Sequence, residues 1–149
     1  MSRVSLLDVN LLVALFDPNH IHHDIAHDWF ADHRADGWAT CPVTENGFVR
    51  VLSNPAYGSA ASPVDDLVGR LRTFCSANDH TFWAGGVSLH DERLFRPQSI
   101  AGHRQLTGVY LLGLARRMRG RLATFDRTIP LAAVVGATRN DIAVVAPAE

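Results

Sequence analysis

Apolar residues recur along this chain in two rhythms. Val4–Leu7, Trp38–Cys41, Arg121–Phe125 and Ile142–Val145 are short apolar runs of strand length and predict buried strands. Between them, apolar positions return every three or four residues. Leu11–Phe16 predicts a short helix with Asn10 as its cap. His22–Arg34 predicts a helix with Ile25, Ala26, Trp29 and Phe30 inward, stopped by Gly37. Pro42 suits the first turn of a helix reaching about Leu52, ended by Asn54-Pro55. Ser62-Pro63 opens another to about Ala77, and Leu106–Met118 is a helix ended by Gly120. Thr81–His90 admits a strand with a turn at Gly85-Gly86, and Leu131–Val135 a short helix or turn.

Apolar strands alternating with helices imply an α/β fold with a mostly parallel central sheet flanked by helices. The 149 residues suit a single domain over 1–149, without repeat or linker. In such sheets, sites form outside the carboxyl ends of the strands. Asp8 ends the first apolar run (SLLD) and Asp126 ends another (ATFD), so both are expected at that edge rather than inside the core.

Composition narrows the chemistry. With 47% hydrophobic residues and 19% charged, the chain has material for a packed core. A net charge of −1 offers no global basic field, so a nucleic-acid site has to be local. All 14 basic residues are arginine, which excludes Schiff-base lysines and lysine-bearing P-loops. Two cysteines, Cys41 and Cys75, make neither a disulfide framework nor a zinc motif, and predict a reduced, cytoplasmic setting. Arg3 precedes an apolar run, but Asp8 and Asn10 interrupt it, unlike a signal peptide. No run reaches membrane-spanning length.

Glu45, one of only three glutamates, falls in the first turn of the helix begun by Pro42. Singly, each acid has an ordinary role: Asp8 as a helix cap, Glu45 against a helix dipole, Asp126 in a turn. Together, each follows a predicted strand directly or within one helical turn, so the three can converge. Gathered carboxylates raise one another's pKa, and a divalent cation relieves the repulsion. Oxygen ligands with open water positions suit Mg²⁺ or Mn²⁺, which can activate water against a phosphodiester.

The segments SLLDVNLLVALF, ATCPVTENGFVRVLSNP and GHRQLTGVYLLGLARRMRGRLATFD resemble the PIN-domain ribonuclease toxins of the VapC family. The resemblance spans nearly the whole chain. It implies a PIN-like fold and the toxin of a type II toxin–antitoxin pair, a Mg²⁺- or Mn²⁺-dependent endoribonuclease acting on structured RNA such as tRNA or rRNA. It also implies a homodimer and a VapB-like antitoxin covering the acidic cleft. Asp8, Glu45 and Asp126 match acidic site positions of the family. Asn10 matches a supporting polar residue, and Thr124 a hydroxyl close to the last acid. One position departs. The family has T-D-x-x-L where this chain has Thr107-Gly108-Val109-Tyr110-Leu111, so Gly108 stands where a principal metal ligand is expected. Nothing in the local pattern asks for glycine. The change predicts weakened or lost cleavage, and leaves the alternative of a catalytically silent PIN domain that binds only antitoxin or RNA. An aspartyl-phosphate phosphatase, suggested by a hydrophobic strand followed by D-x-N, conflicts with the missing lysine.

Weaker signals remain. His20, His22, His23 and His27 cluster, and the last two are one helical turn apart, a spacing that can bind zinc. No cysteine or distant histidine completes such a site, and the flanking residues predict a solvated helix face. Arg116, Arg117, Arg119 and Arg121 form a basic group that suits either a helix C-terminus or RNA phosphates, and Arg50 could approach Glu45. Trp29, Trp38 and Phe48 are expected in the core rather than stacked on bases.

Overall fold

A computed structural model describes residues 3–147. Five strands, β1 (Ser5–Leu7), β2 (Trp38–Thr40), β3 (His80–Phe82), β4 (Arg121–Thr124) and β5 (Ile142–Val144), form one sheet in the order β3-β2-β1-β4-β5. Every neighbouring pair is parallel. The helices are α1 (Val9–Phe16), α2 (His23–His33), α3 (Pro42–Ser53), α4 (Val64–Phe74) and α5 (Leu106–Arg117). The predicted α/β class and mostly parallel sheet are therefore observed. No helix among the described residues is long and apolar enough to cross a membrane.

Successive strand residues face opposite sides of a sheet. Leu6 accordingly packs with Ala39 and Leu122 against Val109, Leu112 and Ala115 of α5. Leu7, Trp38 and Ala123 face the other way, onto apolar residues of α1 to α4. Burial on both faces explains why these strands read as continuous apolar runs rather than alternating ones. Trp38 and Phe48 are core residues as expected, whereas Trp29 is only half-buried and stacks on His33.

Several boundaries differ from the sequence reading. The first helix begins at Val9 and is capped by Asp8, not Asn10; Asp8 has extended backbone and its Oδ1 accepts the Val9 N–H at 2.8 Å. Asn10 is exposed within the first turn. The ambiguous Thr81–His90 segment contributes only the end of β3; Gly85 and Gly86, both at positive φ, carry the chain out of the sheet. The face that carries the histidines is solvated at Asp24, His27 and Asp28, yet two of its rings also bond the end of α1. His23 Nδ1–H donates to the Ala14 carbonyl at 2.7 Å and His27 Nε2–H to the Leu15 carbonyl at 2.9 Å, satisfying carbonyls that the end of α1 leaves open.

At the amino edge of the sheet, the Asp141 carboxylate accepts bonds from Arg3 (2.7 Å), Arg116 (3.0 Å) and the Thr138 N–H (2.8 Å). Burial alone would raise its pKa. The Thr138 bond and the two guanidinium groups outweigh burial and hold the carboxyl below its ordinary range. A depressed carboxylate contributes stability above its unfolded value of about 3.8, and that contribution is lost as pH falls through the lower folded value. Asp141→Ala is expected to cost about 2–4 kcal/mol in chemical denaturation at neutral pH. That lies below the figure for fully buried pairs because both arginines are about one-third exposed. The difference between variant and parent should shrink in acid.

Candidate active site

β1 and β4 are adjacent and parallel, so their carboxyl ends open at the same edge. The residue after β1 is Asp8 and the last residue of β4 is Thr124. The Thr124 hydroxyl donates to Asp8 Oδ2 at 2.6 Å and accepts from the Asp126 backbone N–H at 3.0 Å. Thr124 thus ties the two aspartates together. Asp126 is itself fixed in a turn, its Oδ1 accepting both the N–H (2.7 Å) and the hydroxyl (2.6 Å) of Thr128. Burial pushes the Asp8 carboxyl above its ordinary range. The Thr124 and Val9 bonds oppose this, and the negative charge of Asp126 adds to the rise. A carboxylate pair with this electrostatics is under-neutralised, the condition a bound cation relieves.

The amino end of α5 reaches the same edge, because α5 runs back along the sheet into β4 and so points its N-terminus at the strand ends. Gly108 lies in its first turn, and a Cβ built there would stand 3.0 Å from Ile129 Cγ1 and 3.1 Å from Cδ1. Ile129, on the loop that follows Asp126, packs over the bare Cα and would have to give by a few tenths of an ångström for any side chain here. No carboxylate is offered from this position.

Glu45 sits in the first turn of α3 as expected. The start of α3 packs closely on α1. A Cβ on Gly47 would lie 2.6 Å from Val9, so only glycine allows this approach beside Asp8. The Glu45 side chain, however, does not join the Thr124 network. Its Oε2 accepts the Thr40 hydroxyl at 2.7 Å, and its carboxylate lies beside Cys75 and His80. Asp8, Thr124 and Asp126 are therefore connected by hydrogen bonds, while Glu45 is held by neighbours the sequence reading did not single out. Asn10 does not bond to Asp8 among the described residues.

Of the two places open to the basic residues, Arg116 and Arg117 take the helix C-terminus, in the last turn of α5. Arg116 is bound to Asp141, Arg117 pairs with Asp91 at 3.4 Å, and Arg119 occupies a positive-φ position in the turn after α5. All three lie where α5 ends and β4 begins. The four residues of β4 separate that edge from Asp126 by about 13 Å. Arg50 is exposed in the last turn of α3. Two other arginines, Arg127 and Arg139, share a hollow with Asp126. Together with Asp126, Ile129, Leu131, Ile142 and Val144 they line this hollow of about 330 Å³. Arg127 was legible as the direct neighbour of Asp126; Arg139 stands just before β5 and reaches the hollow only because β5 pairs with β4.

No protein-family description matches the chain. Among curated proteins, Ribonuclease VapC44 of Mycobacterium tuberculosis (strain ATCC 25618 / H37Rv) is 41% identical over 139 residues, covering 93% of this chain and 97% of that protein. Ribonuclease VapC39 of the same strain is 39% identical over 132 residues, 89% and 95% of the two chains. Ribonuclease VapC38 is 46% identical over 123 residues, 83% and 85%. Among solved structures, the sarcin-ricin-loop-cleaving toxin VapC20 of M. tuberculosis superposes with a TM-score of 0.56 at 12% identity, covering 89% of this chain and 97% of that one, a likeness of fold. Strand ends carrying Asp8 and Asp126, the order of the motifs around them and identity of this extent over nearly the full length converge on one assignment: the chain belongs to the VapC family of ribonucleases.

Proposed function

We propose that this VapC ribonuclease is the toxin of a type II toxin–antitoxin pair and cleaves structured RNA, tRNA or rRNA, with Mg²⁺ or Mn²⁺ at Asp8 and Asp126. The observation that carries this reading is the Thr124 bridge. It holds two carboxylates at the carboxyl edge of a parallel sheet, and neither is in an ion pair among the described residues. The donor set fits the ion: Mg²⁺ keeps several waters and is commonly bound through one or two carboxylates plus substrate phosphate. Such an ion supplies Lewis acidity and a water of lowered pKa.

The protein's own residues do the rest. Thr124 orients Asp8, and the Thr128 bonds orient Asp126. Arg127 and Arg139 offer guanidinium groups to RNA phosphates along the hollow they share with Asp126. Glu45 completes the acidic edge when it leaves Thr40. Gly108 removes one carboxylate, so metal affinity and turnover are held low. A VapB-like antitoxin, encoded alongside, offers an arginine to the carboxylates. A homodimer and a cytoplasmic setting complete the proposal, consistent with two free cysteines.

The test is incubation with total RNA in Mn²⁺ and in chelator. Slow internal cleavage, abolished by chelator, is expected. Absence of cleavage with antitoxin binding retained would replace this reading by that of a silent binding module. The missing carboxylate at Gly108 and the engagement of Glu45 by Thr40 are the observations that favour that second reading.

A further inference from the structure

Beside β2, three side chains of different chemistry meet. One ligand atom each from Glu45, Cys75 and His80 lies within 4.8 Å of the other two, the one such group among the described residues. All three side chains are half-buried. They come from separate elements: Glu45 from the first turn of α3, Cys75 from the C-cap of α4, His80 from the first position of β3. The five-residue step from Cys75 to His80 is one turn of chain between helix and strand; the pairing of β3 with β2 places His80 opposite Trp38, and its ring reaches Glu45's partner, Thr40.

Thr40 is the hub of the hydrogen bonding here. The Thr40 hydroxyl stands 2.7 Å from Glu45 Oε2 and 2.8 Å from His80 Nε2. A hydroxyl has one proton to give. If it goes to Glu45, His80 has to carry a proton on Nε2. Burial pushes the His80 imidazole down, toward the neutral ring, against the pull of the Glu45 carboxylate and the Cys75 backbone. Burial likewise pushes the Cys75 thiol up, opposed by Thr40 and reinforced by the charge of Glu45. The group therefore presents a carboxylate oxygen, an imidazole nitrogen and a sulfur to one another at ligand distance.

We propose that Glu45, Cys75 and His80 bind a thiophilic divalent transition metal, Zn²⁺, with water in the fourth position. Sulfur, imidazole nitrogen and carboxylate oxygen are zinc's ligand types, and three protein ligands plus water form the open tetrahedral set. Mg²⁺ does not take thiolate, so this site is chemically distinct from the Asp8–Asp126 pair. Binding releases the Cys75 proton to solvent as the thiolate forms the metal bond. Thr40 keeps its bond to Glu45 and orients that carboxylate from outside the coordination sphere. One consequence rests on the function proposed above: zinc holds Glu45 beside Cys75, away from the cleavage site, so Zn²⁺ should act against Mn²⁺-dependent cleavage.

The test reads the site directly and needs no nuclease activity. Co²⁺ is titrated into the full-length chain as a spectroscopic stand-in, followed by competition with Zn²⁺. A near-ultraviolet cobalt–thiolate band at one equivalent, displaced by Zn²⁺, is expected. Cys75→Ser should abolish the band. His80→Gln, which can keep a bond to Thr40, should weaken Zn²⁺ binding by at least about 100-fold, since changes outside the coordination sphere alone cost 10–100-fold. Cys41→Ser should leave both unchanged, because Cys41 is buried on the α5 side of the sheet. No thiolate band in the folded parent protein, or a band that survives Cys75→Ser, would overturn the site.

Discussion

Asp8→Asn is expected to reduce metal-dependent RNA cleavage by at least roughly 100-fold while leaving the fold intact. Asparagine caps a helix as well as aspartate does. Its Oδ1 can accept the Val9 N–H that Asp8 now accepts, and its Nδ2–H can donate to Thr124, which already accepts from the Asp126 N–H. The Thr124 hydroxyl loses its charged acceptor, at a cost of about 1 kcal/mol. Removing a half-buried negative charge beside Asp126 offsets this, since Asp8 ionises against both burial and its neighbour. The melting temperature without metal should therefore move by less than about 4 °C. The parent protein should gain about 1.4 kcal/mol when Mn²⁺ reaches tenfold over its dissociation constant, and the variant should gain nothing. The two measurements separate ligand from scaffold. Loss of folding in Asp8→Asn would make Asp8 mainly a cap. Undiminished chelator-sensitive cleavage would move the metal elsewhere.

The aspartates could be read from the sequence because their positions follow from topology. A buried parallel strand ends where its apolar run ends, and an acid at that point has to emerge at the carboxyl edge. Leu6 and Leu7, both fully buried on opposite faces, made β1 plain, and Asp8 followed. Direction was harder. Glu45's place in α3 was legible, but its bond to Thr40 depends on β2 ending at Thr40 and on β3 laying His80 alongside. Neither contact leaves a local pattern. The histidine pair shows the same limit, since spacing of one turn serves a metal or, as here, two carbonyls of a neighbouring helix. Of the two roles open to the arginines near β4, a place at the end of α5 is the one observed. Four residues are few in sequence, but an extended strand carries them across the whole sheet, from the Asp141 ion pairs to the acidic edge.

Gly108→Asp is expected to strengthen Mn²⁺ binding and raise cleavage, and the gain should be larger when Ile129 is trimmed at the same time. In the first turn of α5 an aspartate is favourable on two counts. It removes a helix-interior glycine, worth up to about 1 kcal/mol, and it interacts with the helix dipole for about 0.3–1 kcal/mol. Against this stands Ile129, which a new Cβ would meet at 3.0 Å and which is nearly buried. Relieving that contact costs about 1–3 kcal/mol, and the strain falls on the loop that carries Asp126. A third carboxylate also repels Asp8 and Asp126 until a cation arrives. The single variant should thus be slightly less stable than the parent without metal and more stable in Mn²⁺. Ile129→Val removes the Cδ1 atom and lets the remaining branch turn aside, at about 0.5–1.5 kcal/mol. The double variant should keep Asp126 in place and cleave RNA faster than Gly108→Asp alone. Gly108→Ala supplies the same Cβ without the carboxylate. It should show the steric loss and no gain in Mn²⁺ affinity. The set is measured by thermal melting with and without Mn²⁺ and by cleavage of total RNA with and without chelator. If Gly108→Ala and Gly108→Asp respond alike to Mn²⁺, position 108 acts through packing on Ile129 alone. Asp8 and Asp126 would then be the metal's anchors regardless of what the amino end of α5 offers.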